Sequence, residues 1–221
     1  MREQIIKNVY QKKLIAIVRG MEEKKIVPLA KALYEGGIDM IEVTFNQSNP
    51  EQFVSVKRAI EAIRSALGSD VYTGAGTVMS NEQLHIAADA GAQYIISPHT
   101  NTELIKKTKE MGLVSMPGAT TASEAQAAYE AGADFVKLFP ASILGVSYLK
   151  ALRAPLSHIP FLCVGGMNEQ NIGEYLSAGA VGFGIGGNLV SKNWVDSGKF
   201  DQITALARKY VDAVHGEAVE V

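Results

Sequence analysis

AGADFVKLFP, residues 131–140, holds one complete unit of this chain: the end of a helix marked by glycine, then a short apolar strand. Glycine is favoured just past a helix end because it adopts the left-handed conformation without steric cost. Phe135, Val136, Leu138 and Phe139 form an apolar run of the kind that is buried on both faces of a parallel sheet. The same unit recurs in EGGIDMIEVTF (35–45), AGAQYIISP (90–98) and AGAVGFGIGG (178–187). Gly37, Gly68, Gly91, Gly112, Gly132 and Gly179 are read as helix caps. The interval from Gly132 to Gly179 is long enough for two units with one cap missing, and Pro155 and Pro160 can end that helix instead.

Counted outward from this unit, strands are predicted at 14–19, 40–45, 71–77, 94–98, 114–118, 135–140, 161–165 and 181–186. Helical periodicity fills the intervals, as at 22–35, 51–67, 80–90 and 121–131. Eight strands alternating with helices through short loops point to a parallel (β/α)8 TIM barrel. An extra N-terminal helix at 2–12 would cap its bottom. At 199–214, Phe200, Ile203, Leu206, Ala207, Tyr210, Val211 and Val214 form the apolar stripe of a C-terminal helix. No low-complexity stretch or linker divides the chain, so residues 1–221 are read as a single barrel domain. An open doubly wound sheet satisfies the same periodicity.

Composition narrows the function classes. The chain is 47% apolar and 20% charged, with a formal net charge of −2. That balance leaves no basic footprint for nucleic acid. No apolar run approaches the ~20 residues of a membrane helix, and the N-terminus MREQIIKNVYQKK lacks the apolar core of a signal peptide. A single cysteine, Cys163, allows no intrachain disulfide and no multi-cysteine metal site. The expectation is a soluble cytoplasmic protein without membrane or nucleic-acid partners.

Lys137 is the anomaly in the opening stretch. A protonated amine among apolar residues must find a partner or lose its charge, unless it snorkels to the strand end. In a barrel, chemistry gathers at the C-terminal ends of the strands. The polar residues predicted there are Arg19, Glu42, Thr44, Thr77, Ser97, His99 and Lys137. Strand alternation puts Met40, Glu42 and Thr44 on one face, and Phe135, Lys137 and Phe139 on another. If both faces point inward, a carboxylate and an amine approach each other in a narrow apolar interior. They could form a structural ion pair. Alternatively, desolvation makes the amine a nucleophile toward a ketone, with the carboxylate shuttling protons. Arg19 offers a fork for a substrate carboxylate, unless it pairs at the surface with Glu22 or Glu23.

The turns Gly165-Gly166 and Gly186-Gly187-Asn188, after the last two strands, suggest a phosphate held by backbone N–H groups. Gly182-Phe-Gly184-Ile-Gly186-Gly187 matches G-x-G-x-x-G formally. A dinucleotide site needs a further strand and an acidic residue ~20 positions on, and neither follows, so no nucleotide cofactor is expected. His85, His99, His158 and His215 have no metal-ligand spacing. His85 reads as a helix-surface residue and His99 as a candidate substrate contact, while Cys163 reads as a small buried residue and Trp194 as a packing or interface residue.

The ordered set EVTF (42–45), GAGTV (74–78), ISP (96–98), PGA (117–119), VKLFPA (136–141) and VGG (164–166) resembles the 2-keto-3-deoxy-6-phosphogluconate (KDPG) / 4-hydroxy-2-oxoglutarate (KHG) aldolase family, from about residue 5 to 195. The resemblance implies a metal-free class I aldolase on a (β/α)8 barrel, without cofactor and homotrimeric. It makes Lys137 the Schiff-base lysine and Glu42 the general acid/base. Thr77 would line the pyruvate site, and Pro98 and Phe139 would shape the pocket. Two positions depart from the family pattern. Asn46 replaces an arginine that binds the pyruvate carboxylate, so that either Arg19 or Asn46 would take that task. Arg-Gly after the first strand with Asn after the second is similar to the branch acting on the galactonate epimer (KDPGal). Asn188 replaces a serine at the phosphate end, beside Gly187.

The expected substrate is therefore a small, phosphorylated 2-keto acid, cleaved to pyruvate and an aldehyde; KHG, which would yield glyoxylate, is the unphosphorylated option. A sugar-phosphate isomerase or epimerase on the same barrel, or a non-catalytic sugar-acid binding protein, are the other classes compatible with these residues.

Overall fold

The computed structural model describes residues 1–216; residues 217–221, the end of the expected 1–221 domain, lie outside the described residues. Nine strands form one sheet: β1 (Leu14–Val18), β2 (Met40–Thr44), β3 (Tyr72–Gly76), β4 (Tyr94–Ile96), β5 (Val114–Met116), β6 (Gly118–Ala119), β7 (Val136–Leu138), β8 (Phe161–Val164) and β9 (Gly182–Ile185). Their order is β5-β4-β3-β2-β1-β9-β8-β7-β6, and every pairing is parallel.

The count exceeds the expected eight because the fifth strand is broken at Pro117, which has no N–H to give to a ladder. β5 and β6 are its two halves, so the two ends of the sheet are one segment of chain. Backbone bonds seal the seam: Asp134 N–H donates to Ser115 O at 2.9 Å, Lys137 N–H to Pro117 O at 2.8 Å and Phe139 N–H to Ala119 O at 3.3 Å. The sheet closes into a TIM-type barrel rather than an open doubly wound layer.

All six glycines expected past helix ends have positive φ, between 56° and 100°. The helix Val146–Arg153 instead stops just before Pro155. The C-terminal helix, Phe200–His215, buries Ile203, Ala207, Tyr210 and Val214. It packs on the helix Glu23–Glu35 closely enough that a Cβ on Gly36 would lie 2.4 Å from that of Ala207.

Two apolar layers result. One lies between sheet and helices; the other fills the barrel with inward side chains including Ile15, Met40, Tyr94, Met116, Phe135 and Leu162. The first helix, Arg2–Lys12, plugs the bottom of this interior with Ile5 and Val9, each worth ~1.5–3 kcal/mol when fully buried. Polar latches at the N-terminal ends of the strands hold the plug. Asp134 accepts from Arg2, from Lys109 Nζ at 2.6 and 2.8 Å, and from Ser115 N–H at 2.8 Å; Asp39 accepts from Asn8 at 2.9 Å. The bottom is therefore covered, and the C-terminal ends are left as the open face of the barrel.

Candidate active site

Lys137 sits in the middle of β7, level with Gly118 on one side and Leu162 on the other. It is 7% exposed, and among the described residues its amine makes no hydrogen bond and no ion pair. Burial pushes its pKa down from 10.5; the Glu42 carboxylate pulls it back up and the Arg19 charge lowers it further. The Nζ lies 4.9 Å from the ring centroid of Phe139, its one polar-to-aromatic contact. Phe139 is itself 37% exposed, so the amine stands one ring away from open space rather than at the strand end in water.

Glu42 faces inward from β2, between Ile17 of β1 and Gly74 of β3. It is 2% exposed, and its Oε2 is buried without a hydrogen-bond partner. Burial raises its carboxyl pKa, against the opposing pull of Lys137 and Arg19. No ion pair joins Glu42 to Lys137 among the described residues, so the structural salt bridge is not formed. The two groups are coupled through a low-dielectric interior, and each is biased toward its neutral form.

Glycines make room for this arrangement. A Cβ on Gly76 would lie 1.6 Å from Glu42 Oε1, and one on Gly74 would lie 2.2 Å from the ring of Tyr94. On β9, a Cβ at Gly182 would lie 2.9 Å from Leu162 Cδ2, and one at Gly184 would lie 2.9 Å from Val164 Cγ2. The G-x-G pattern at 182–184 is thus a packing requirement of the barrel interior.

Two cavities open at the C-terminal ends of the strands. The first, about 570 Å³, is lined by Arg19, Phe139, Gly165, Gly166, Gly187 and Asn188 among others. The second, about 480 Å³, is lined by Arg19, Thr44, Asn46, Gln47, Thr77 and Pro98 among others. Arg19 and Met21 border both, so the two form halves of one mouth. Neither cavity is lined by Lys137 or Glu42, which lie below, in the barrel.

Arg19 is exposed and makes no hydrogen bond or ion pair among the described residues. Its expected surface partners are engaged elsewhere, Glu22 with Lys24 and Lys25, and Glu23 with Arg58. Asn46 spends its Oδ1 on Ser48 N–H at 3.1 Å. The N–H groups of Gly166, Gly187 and Asn188 donate to no protein acceptor among the described residues. The Asn188 side chain is committed to Met167 O at 3.0 Å, bridging the last two turns, so its backbone N–H rather than its amide is left uncommitted at the cavity.

Other candidates separate from the site. Ser97 donates to Val78 O at 2.7 Å, a strand-end brace. His99 has a buried Nδ1 without a partner and lines neither cavity. His85 is exposed on its helix, and Trp194 packs on the outer core. Cys163 is buried, which pushes its thiol up to about 12. No group of three or more His, Cys, Asp or Glu is placed to hold a metal among the described residues, and no helix is long and apolar enough to cross a membrane. Sequence reasoning missed Gln47 and Gln83. Their only signal was one amide shortly after β2 and another in the first turn of the helix Asn81–Asp89.

Comparison with known proteins gives a consistent result. A family model described as KDPG and KHG aldolase matches residues 5–206. The 2-dehydro-3-deoxy-6-phosphogalactonate aldolase of Escherichia coli K12 is 36% identical over 202 residues, covering 91% of this chain and 96% of that protein. The KHG/KDPG aldolase of the same organism is 36% identical over 203 residues, covering 90% and 89%. A solved structure described as native KDPGal aligns with a TM-score of 0.83 at 34% identity, covering 92% and 95%. The KDPG aldolase of Legionella pneumophila, with pyruvate captured at low pH as a covalent carbinolamine intermediate, aligns with a TM-score of 0.82 at 29% identity, covering 92% and 96%.

Proposed function

The chain belongs to the KDPG and KHG aldolase family, and on that premise we propose that it is a class I aldolase, a lyase cleaving a 2-keto-3-deoxy-6-phospho sugar acid to pyruvate and glyceraldehyde 3-phosphate. The observation that carries the reading is the amine of Lys137: buried, unpaired, biased toward neutrality, and electrostatically coupled to an equally buried Glu42.

The neutral Lys137 amine adds to the C2 ketone to form a carbinolamine; the Glu42 carboxyl, whose pKa burial raises, gives its proton to the carbinolamine hydroxyl, which leaves as water, so that an iminium and the Glu42 carboxylate result. Glu42 takes the proton of the C4 hydroxyl, the C3–C4 bond breaks, and its electron pair flows into the iminium to give an enamine and the free aldehyde. The protonated Glu42 returns its proton to C3, and water releases pyruvate. Burial of both groups supports this cycle, because it raises the carboxyl and lowers the amine, bringing their proton affinities closer together.

Arg19 supplies the fork for the substrate carboxylate, and Thr77, Pro98 and Phe139 shape the pyruvate end. Asn46 borders the same cavity, and among the described residues its amide NH2 donates to no protein acceptor. The N–H groups around Gly165, Gly166, Gly187 and Asn188 seat the phosphate. KDPGal and KDPG both suit this mouth: Arg-Gly after the first strand with Asn46 after the second is similar to the KDPGal branch, while relatives named for KDPGal and for KHG/KDPG are both 36% identical. KHG is the unphosphorylated alternative in the same mouth.

The working form we assign is a cytoplasmic homotrimer with one barrel domain per chain. Its support is the family resemblance, with a single buried cysteine compatible with a reducing compartment. Sedimentation as a monomer at assay concentration would remove the trimer. Borohydride with pyruvate should add a pyruvate-derived mass to the peptide containing Lys137, and a coupled assay should detect pyruvate release from KDPGal, KDPG or KHG. No adduct at Lys137 in the native chain would sink the mechanism.

A further inference from the structure

Thr77 has a φ of 55°, the left-handed region, which a β-branched residue occupies only when its surroundings force it. Among the described residues only Lys13 shares a positive φ without being glycine, and Lys13 ends a helix, where such a cap is common. Thr77 instead directly follows β3 and borders the mouth beside Arg19, Asn46 and Pro98. Its neighbours are pinned by backbone and serine contacts: Gly76 O accepts from Phe45 N–H, Val78 N–H donates to Ile96 O, and Val78 O accepts from Ser97. The carbonyl of Thr77, whose direction reports its own ψ, is held by one group, the Nε2 of Gln47 at 2.7 Å.

Gln47 is held in turn. Its Oε1 accepts from Gln83 Nε2 at 2.9 Å, and the Gln83 Oε1 accepts from Met79 N–H at 2.7 Å. Gln83 is fully buried at the start of the helix Asn81–Asp89, where its own N–H is capped by Ser80 at 3.2 Å. The anchored amide thus passes its orientation through Gln47 to the threonine.

We infer that Gln47 is a positioning residue for the pyruvate end of the site, holding Thr77 in its left-handed conformation through the Gln83–Gln47–Thr77 relay. This rests on the aldolase reading above, in which Thr77 borders bound pyruvate. Gln47→Glu keeps the length but turns a carboxylate oxygen toward the Thr77 carbonyl, so it should do at least as much harm as Gln47→Ala. Gly in place of Thr77 adopts the left-handed region unaided, and in that background Gln47 should no longer matter.

The test is the pyruvate concentration giving half-maximal borohydride-trapped adduct, with the melting temperature recorded alongside. Gln47→Ala and Gln47→Glu should raise it about tenfold, equivalent to ~1.4 kcal/mol, with Lys137 still fully trapped at saturation. In a Thr77→Gly background the same changes should shift it less than about twofold. A half-saturation unchanged in both single variants would overturn the inference. So would an equal loss in the Thr77→Gly background, which would show that Gln47 acts by some other route. Failure of the native chain to form any adduct would instead refute the aldolase reading, a result that needs no Gln47 variant to recognise.

Discussion

Gly76→Ala is the most direct perturbation of the proposed proton shuttle, because Gly76 has no side chain only so that Glu42 can occupy its place. An added Cβ would lie 1.6 Å from Oε1, 2.4 Å from Cδ and 2.6 Å from Cγ of Glu42. Contacts under 3.0 Å are not tolerated, so the carboxyl must retreat by about 1.4 Å, the difference between 3.0 and 1.6. Gly76 has no positive φ, so backbone strain adds nothing and the effect is steric. Overpacking of this kind costs ~1–3 kcal/mol of stability, roughly 2–12 °C in Tm for a chain of this size. Misplacing a catalytic group by about 1 Å costs on the order of 10²-fold in rate, so kcat for pyruvate release should fall about 100-fold. Lys137, on a different strand, should still be trapped by borohydride at saturating pyruvate. Gly173→Ala is the matched control: nothing lies within 4 Å of its added Cβ, and kcat should stay within about twofold of native. A folded Gly76→Ala protein with kcat within about threefold of native would refute the role given to Glu42.

The remaining predictions test charge, fold and the far end of the substrate. Adduct formation needs the free amine, so its rate should rise with pH through a midpoint below the ordinary 10.5 of lysine; Glu42→Gln removes the charge that holds the amine's pKa up and should move this midpoint down, whereas Arg19→Ala should move it up. A shift in the opposite direction for either variant, read from trapping rates across pH, would contradict the coupling. Because the folded pKa of Lys137 is depressed, stability rises with pH between that value and 10.5, so Lys137→Met should raise Tm at neutral pH by a few degrees while abolishing the adduct; a lower Tm would argue that the amine is paired. Asp134→Ala strands Lys109, Arg2 and the Ser115 N–H at the barrel bottom and should cost ~2 kcal/mol, about 4–8 °C in Tm, with kcat unchanged within twofold. Gly166→Ala forces a side chain onto a φ of 74° and to 2.0 Å from Ser142 Oγ, so KM for a phosphorylated substrate should rise roughly tenfold while half-saturation by pyruvate alone moves far less.

What could be read from the chain was what local rules dictate. Gly37, Gly68, Gly91, Gly112, Gly132 and Gly179 mark helix ends because a left-handed residue is needed there, and the short apolar runs after them could only be buried strands. Alternation grouped Glu42 with Met40 and Lys137 with Phe135, and the closed barrel then showed that both groups face inward. The split of the fifth strand was foreseeable from Pro117, yet the seam needed the closed geometry to be seen. Longer-range choices had no local signature. The committed amide of Asn188, the brace made by Ser97, and the relay from Gln83 to Thr77 each end on a backbone carbonyl of a different segment. Thr77 carries no sequence mark of its positive φ, because threonine is a poor choice for it.

The glycines inside the strands hold the more general lesson. A G-x-G in β9 mimics half of a nucleotide motif, and a second G-x-G in β3 looks like mere flexibility. In the barrel both are inward positions emptied for a neighbour: Gly182 and Gly184 for Leu162 and Val164, Gly74 and Gly76 for Tyr94 and Glu42. The two pairs do different work because of what moves into the space. On β9 it is aliphatic bulk, which fills the interior beneath the first cavity. On β3 the lower glycine admits an aromatic ring and the upper one a carboxyl, whose remaining oxygen finds no partner. An unpartnered buried oxygen is costly for stability alone. In the proposed cycle the missing partner is the substrate's C4 hydroxyl, and the absent side chain at Gly76 leaves the room in which the Glu42 carboxyl stands to meet it.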